Sequence, residues 1–166
     1  MPWVYVVLGS NIQPETNLRQ AVAELQTLGR DLRRSHVYQT TPQGYTAQDD
    51  FLNMAVCLWT DLEIETFKMR LAALETSLGR VRDPQNKNAP RTIDLDIALW
   101  GDEIRTYGVK PWHVPDPDIG RYAHLALPLA NLAPDFIHPE LGETLAALAS
   151  RFDLSALQLR NDVFMD

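Results

Sequence analysis

The run Ile93-Asp94-Leu95-Asp96-Ile97-Ala98-Leu99-Trp100 limits the fold of this chain more than any other stretch. Ile93, Leu95, Ile97 and Leu99 alternate with the residues between them, the pattern of a β-strand with one buried face. Asp94 and Asp96 then stand together on the opposite face, roughly 7 Å apart by strand rise. Like charges that close repel, so the pair has one of two explanations. Either it holds a divalent metal, which points toward phosphate chemistry, or it belongs to a solvated strand face.

The remaining periodicity supplies partners for this strand. Val4 to Leu8 is a short apolar run ending at Gly9-Ser10-Asn11, a buried strand feeding a turn. Pro14 and Glu15 open a helix whose Leu18, Val22, Leu25 and Leu28 share a face. Arg33 to Tyr38 reads as a second strand and Thr41 to Asp50 as a loop. Phe51 to Trp59 reads as a third strand, with Leu52, Met54, Val56 and Leu58 on one side and Phe51, Asn53, Ala55 and Cys57 on the other. Thr60 and Glu63 have capping-box spacing. Ile64, Phe67, Leu71, Leu74 and Leu78 form the stripe of a helix that stops at Gly79.

Strand, helix, strand, strand, helix, strand is the βαββαβ order of an α+β, ferredoxin-like domain, an antiparallel sheet with helices over one face. Past Gly101 the pattern weakens into a loop-rich stretch marked by Pro111, Pro115 and Pro117. A short helix is expected over Leu125 to Leu132 and a last one over Thr144 to Phe152, with Leu145, Leu148 and Phe152 inward. The tail from Asp153 to Asp166 shows no periodicity. Residues 1–166 are expected to form one domain.

With 15 Lys and Arg against 22 Asp and Glu, the formal charge is −7, which disfavours a nucleic-acid surface. The cations are unevenly spread: Arg80, Arg82, Lys87 and Arg91 fall just before the acid pair. A local basic patch on an acidic protein suits a small anionic ligand. The single cysteine, Cys57, excludes an internal disulfide and a cysteine-based zinc site, and its apolar surroundings suggest a buried thiol. No signal-type segment and no run long enough to cross a bilayer is evident, so a soluble, cytoplasmic protein is expected. His36, His113, His124 and His138 lack metal-ligand spacing, and no classical nucleotide loop is present.

Phe51 offers a ring for stacking and Asn53 an amide for hydrogen bonding, a pair that suits a flat heteroaromatic ligand. The alternative is that Phe51 packs under a second cover and Asn53 bonds a neighbouring loop. Arg80, Arg82 and Arg91 could fork onto phosphate oxygens or form an ordinary surface cluster. Carboxylates for metal beside cations for phosphate is what phosphoryl transfer needs.

In order along the chain, Tyr5-Val6-Val7-Leu8-Gly9-Ser10-Asn11, Tyr38-Gln39-Thr40-Thr41-Pro42, Asp50-Phe51-Leu52-Asn53, Leu78-Gly79-Arg80-Val81-Arg82, Pro90-Arg91-Thr92-Ile93-Asp94-Leu95-Asp96 and Leu132-Ala133-Pro134-Asp135 resemble the 6-hydroxymethyl-7,8-dihydropterin pyrophosphokinases of folate biosynthesis. The resemblance implies a ferredoxin-like fold and Mg²⁺-dependent transfer of pyrophosphate from ATP to the pterin hydroxymethyl group, releasing AMP. By position it implies two Mg²⁺ ions on Asp94 and Asp96, and phosphates gripped by Arg80, Arg82 and Arg91. Glu75, Ile97 and Arg121 would lie about the ATP. Thr40, Thr41, Pro42, Gln43, Gly44, Phe51, Asn53 and His124 would surround the pterin. The partners implied are small molecules, with no membrane or nucleic acid, acting on a monomer.

Some positions depart from the family pattern. The loop from Asp83 to Ala89 lacks the family's tryptophan. Asp116 stands where a histidine is common, and Tyr122 and His124 where Arg and Phe are usual. Two other readings compete: a nucleotidyltransferase, or a divergent paralogue that acts on, or only binds, a related pterin.

Overall fold

The computed structural model describes residues 2–40, 50–80 and 92–165. In chain order the elements are β1 (Trp3–Ser10), α1 (Pro14–Leu25), β2 (Arg30–Arg34), β3 (Tyr38–Thr40), β4 (Phe51–Trp59), α2 (Ile64–Ser77), β5 (Asp94–Trp100), β6 (Arg105–Tyr107), β7 (Trp112–Val114), α3 (Ala123–Leu132), α4 (Leu145–Ser150) and β8 (Gln158–Leu159). β2 and β3 are two halves of one strand, both antiparallel to β4. At the break between them, the Ser35 N–H donates to the Ala55 carbonyl at 2.9 Å, and the Ser35 hydroxyl accepts the Ala55 N–H at 2.9 Å. The side chain thus replaces a ladder bond where the strand bends.

The sheet order is β5-β1-β4-β3-β8, with β1 antiparallel to both β4 and β5. Counting β2 and β3 as one, each pair of parallel strands is split by an antiparallel one, as the βαββαβ order predicts. α1 and α2 cover one face, with Leu18, Leu25, Phe67 and Leu71 packed on Val6 and Met54. Tyr5, Val7, Ala55 and Cys57 point to the opposite face. There Leu125 and Leu129 of α3 and Leu145 and Leu148 of α4 close a second core. The expected single helical layer is therefore joined by a second, built by the C-terminal extension.

Three local expectations need correction. Ala98 has no partner on β1: Tyr5 pairs with Leu99 and Val6 with Ile97. This β-bulge turns Leu99 away from the face shared by Ile93, Leu95 and Ile97 and into the second core. Thr60 is not the cap of α2. Its buried hydroxyl donates to the Leu28 carbonyl at 2.8 Å and accepts the Leu62 N–H at 3.1 Å, while Glu63 occupies the N-cap without a side-chain bond. The proline-marked stretch contains a hairpin of β6 and β7, after which the Asp116 N–H docks on the Ala98 carbonyl at 2.8 Å.

Gly79 has φ +88° and ends α2 as the sequence suggests. The tail is ordered by pairing: β8 adds to β3, and Arg160 bonds Gln39 at 3.0 Å and Glu15 at 3.2 Å. Among the described residues, no helix is long and apolar enough to cross a membrane.

Candidate active site

Asp94 sits opposite Gly9 and Asp96 opposite Val7, on the face of β5 turned toward the C-terminal extension. Two cavities meet at this pair. The smaller, about 280 Å³, is lined by Thr40, Phe51, Asn53, Asp116, Asp118 and His124 as well as by both aspartates. The larger, about 630 Å³, lies between α2 and the β6–β7 hairpin, with Lys68, Met69, Ala72, Tyr107, Val109 and Trp112 on its walls. Asp94 and Asp96 border this one too. Strand alternation explains the arrangement: with Ile93, Leu95 and Ile97 in the helical core, the intervening carboxylates face out into the cleft.

In the smaller cavity Asn53 is buried, and its Nδ2 donates to the Thr40 hydroxyl at 2.7 Å. A Cβ on residue 9 would come within 3.0 Å of Asn53 Oδ1, so Gly9 is what lets β1 pass so close to that amide. The half-buried Phe51 ring lies two residues along the same strand face. His124, in the first turn of α3, stacks on Tyr122 with ring centroids 5.3 Å apart and 30° between planes. Burial lowers the His124 pKa from its ordinary value against the opposing pull of Asp118 and Asp94, so the imidazole is neutral at pH 7. Burial raises the Asp116 pKa, helped by Asp118 and Asp94, while the Asp118 N–H bonded to its carboxylate at 2.8 Å works the other way.

Each aspartate of the pair meets a cation. Arg80 Nη1 donates to Asp94 at 2.7 Å, to Glu75 at 2.9 Å and to the Ile93 carbonyl at 3.2 Å. Glu75 is buried and also accepts the Leu95 N–H at 2.8 Å, which ties α2 to β5. Burial works against the Arg80 charge, but Asp94 and Glu75 outweigh it and hold its pKa above the ordinary value. Among the described residues, Arg80 Nε is buried and has no acceptor. Lys68 Nζ lies 3.4 Å from Asp96. Burial, and then the Asp94 carboxylate, push the Asp96 pKa up to about 7, with Lys68 opposing.

Among the described residues no three His, Cys, Asp or Glu groups are arranged to enclose a metal ion. Two carboxylates open to a cleft nevertheless fit Mg²⁺. That ion usually binds through one or two carboxylates and completes its shell with water and substrate phosphates. A cation there would oppose the burial and the Asp94 charge that raise the Asp96 pKa.

The structure thus brings Thr40, Phe51, Asn53, Asp94, Asp96 and His124 to one cleft, with Arg80 and Glu75 directly behind it. It does not bring Ile97 or Arg121 there. Ile97 is 4% exposed in the helical core, on the inward side of the alternation. The Arg121 side chain is 70% exposed and pairs with Asp118 at 3.6 Å. Thr41, Pro42, Gln43, Gly44, Arg82 and Arg91 lie outside the described residues. Lys68, Trp112 and Asp118 were not singled out from the sequence. For Lys68 a signal exists: Lys68, Ala72 and Glu75 fall at helical i, i+4, i+7 spacing on one face of α2. Trp112 and Asp118 sit in the proline-marked stretch, where no periodicity assigns a face.

A ferredoxin-like α+β domain with two cavities joined at a carboxylate pair is built to bring two small molecules together. Known proteins agree on which such domain it is. The family model described as 7,8-dihydro-6-hydroxymethylpterin-pyrophosphokinase (HPPK) matches residues 5–134. Proteins named 2-amino-4-hydroxy-6-hydroxymethyldihydropteridine pyrophosphokinase share this similarity. The one from Pseudomonas aeruginosa is 36% identical over 87% of this chain and 90% of its own length. Those from Methylorubrum extorquens and Synechocystis sp. are each 32% identical, over 95% and 92% of this chain and 98% and 77% of theirs. The chain belongs to the HPPK family. Its fold matches Plasmodium falciparum HPPK-DHPS solved with pterin and p-hydroxybenzoate, at a TM-score of 0.75 and 13% identity over 90% of this chain. This chain spans 43% of that longer one.

Proposed function

We propose that this protein transfers a pyrophosphoryl group from ATP to the hydroxymethyl oxygen of 6-hydroxymethyl-7,8-dihydropterin, releasing AMP, in folate biosynthesis. Family membership supports the reaction. The observation that carries the site is that Asp94 and Asp96 border both cavities. Two substrates, one in each, would meet at the carboxylates.

The smaller cavity takes the pterin. Phe51 offers a ring face, Asn53 and Thr40 offer polar groups to the pterin edge, and the neutral His124 offers a second ring. Thr41, Pro42, Gln43 and Gly44 complete that pocket in this reading. The larger cavity takes ATP with its phosphates toward the aspartates, and Arg80, Arg82 and Arg91 grip them through forked, charge-assisted bonds. Glu75 acts by positioning: it fixes Arg80 and the β5 backbone from behind. Asp94 and Asp96 would hold Mg²⁺, two ions in this reading, which when bound neutralises phosphate charge and acidifies the attacking hydroxyl. The pterin oxygen bonds to the β-phosphorus and passes its proton to water. The bond from that phosphorus to the oxygen bridging the α-phosphate breaks, and AMP leaves with that oxygen. The reading takes the enzyme to be a cytoplasmic monomer.

The test is AMP release from ATP and 6-hydroxymethyl-7,8-dihydropterin with MgCl₂, with the pterin diphosphate identified by mass. A folded protein that binds both substrates and releases no AMP refutes the proposal. Pterins with other 6-substituents belong in the same assay, because His124 and Tyr122 give this pocket a stacked pair of rings on one wall.

A further inference from the structure

We propose that Lys68 is a phosphate-binding residue of the larger cavity, one that exchanges the Asp96 carboxylate for an oxygen of the nucleotide's β- or γ-phosphate when the site fills. The proposal rests on the reading of that cavity as the ATP site.

The Lys68 side chain is only 15% exposed, unusual for a residue type that normally extends its charge into water. Two groups hold the ammonium. Asp96 lies 3.4 Å away, and the Trp112 ring centroid 5.2 Å away, within cation–π range. The first contact is loose, since charged N–H···O bonds run to about 2.7–2.9 Å. Lys68 is therefore held at the cavity wall by Trp112 but not locked onto its carboxylate.

Charge balance gives the exchange a direction. Glu65, Glu75, Asp94 and Asp96 all border this cavity, and a triphosphate would be repelled unless they are offset. Arg80 offsets Glu75 and Asp94 through short bonds on one nitrogen, so much of its charge is already balanced before phosphate arrives. Among the described residues lining the cavity, the cations are Lys68 and Lys110. A divalent cation arriving on Asp96 would replace the attraction felt by Lys68 with repulsion. The ammonium then needs a new acceptor within reach of its four-carbon stem, and the incoming phosphates are the anions that arrive with the cation. A lysine suits that exchange better than an arginine, because its three donors rotate freely and have no fixed fork to realign.

The experiment is calorimetric titration of ATP and of AMP, each with MgCl₂, into wild type, Lys68→Met and Lys68→Arg. Met keeps the apolar stem over Trp112 and removes the charge. Loss of a charge-assisted phosphate bond predicts ATP binding weakened about 10-fold, with AMP weakened under about 2-fold. The Lys68→Arg variant restores ATP affinity to within about 3-fold. Equal weakening of ATP and AMP means that Lys68 only shapes the wall, and unchanged ATP binding means that it makes no phosphate contact; either overturns the proposal. If Lys68→Met does not fold, the wild-type protein still decides. Its Lys68 side-chain nitrogen resonance, identified by its loss in Lys68→Arg, must shift with ATP and Mg²⁺ and not with AMP. A resonance that stays put counts against the exchange. Wild-type AMP release, assayed alongside, separates the two readings: normal turnover with unchanged Lys68→Met binding removes Lys68 alone, whereas a wild type that binds no ATP removes the nucleotide site itself.

Discussion

Replacing Asp96 with Asn should make the metal-free protein more stable at neutral pH while disabling it. Burial and the Asp94 carboxylate raise the Asp96 pKa from 3.8 to about 7, with the pull of Lys68 already part of that balance. The folded state therefore keeps a proton that the unfolded chain sheds from about pH 4 upward. Wild-type stability falls as pH rises from about 4 to about 7 and is flat beyond, where both states are ionised. A rise of that size corresponds to about 4 kcal/mol. The Asp96 side chain is 45% exposed, however, and solvent screening cuts the effect to about 1–2 kcal/mol. Asn carries no charge at any of these pH values. The stability difference between Asp96→Asn and wild type should be near zero at pH 4, grow through pH 7, and plateau at about 1–2 kcal/mol in favour of the variant. Urea unfolding in EDTA across this range measures it. Excess MgCl₂ should then stabilise wild type and leave the variant unmoved, since only the native carboxylate pair gains the ion. An Asp96→Asn protein less stable than wild type at pH 8, with an unchanged m-value, would mean that the carboxylate is not strained by its surroundings.

Other perturbations separate the roles assigned to the cleft. Asp94→Ala should cut AMP release by at least about 100-fold while the protein still unfolds cooperatively in urea; a near-normal rate removes Asp94 from the chemistry. Phe51→Ala should raise the KM for the dihydropterin about 10-fold, with kcat little changed, through loss of ring stacking; an unchanged KM says that the pterin lies elsewhere. Glu75→Ala leaves the Arg80 charge, 11% exposed, without its buried partner, and should lower unfolding free energy by about 3 kcal/mol; a loss under about 1 kcal/mol would show that Asp94 alone holds Arg80.

The ferredoxin-like core could be read because its periodicities are unambiguous. Leu52, Met54, Val56 and Leu58 alternate without a break on β4, and Phe67, Leu71 and Leu74 keep one face of α2. The pairing of Asp94 with Asp96 on one side of β5 follows from the same alternation. What could not be read depends on contacts between distant segments. Thr60 has capping-box spacing, yet its hydroxyl is drawn to the Leu28 carbonyl by the packing of a preceding turn. The β6–β7 hairpin spans only three residues per strand among prolines, too short for a period to register. No period therefore marks Lys68 and Trp112 as a pair, although they meet where that hairpin faces α2. For Arg121, residue order does not say which way a side chain leaves a 3-10 turn. Here it leaves toward solvent and Asp118.

The bulge at Ala98 connects the fold to the site more directly than the strand pattern suggests. Before it, alternation sends Ile93, Leu95 and Ile97 to α1 and α2 and leaves Asp94 and Asp96 to the cleft. An unbroken strand would continue that pattern, sending Leu99 to the helical core and Trp100 to the opposite face. With one extra residue, Leu99 instead fills the second core, while Trp100 stays in the first and meets Phe67 edge-on at 5.6 Å. The unpaired Ala98 also offers its carbonyl to the Asp116 N–H, which fixes the start of the turn carrying Asp116 and Asp118. That turn leads into α3 and so to His124, the ring on the far side of the smaller cavity's residues in sequence. One inserted residue in β5 thus moves Leu99 into the second core, keeps Trp100 in the first and anchors the segment that completes the cleft beside the aspartates.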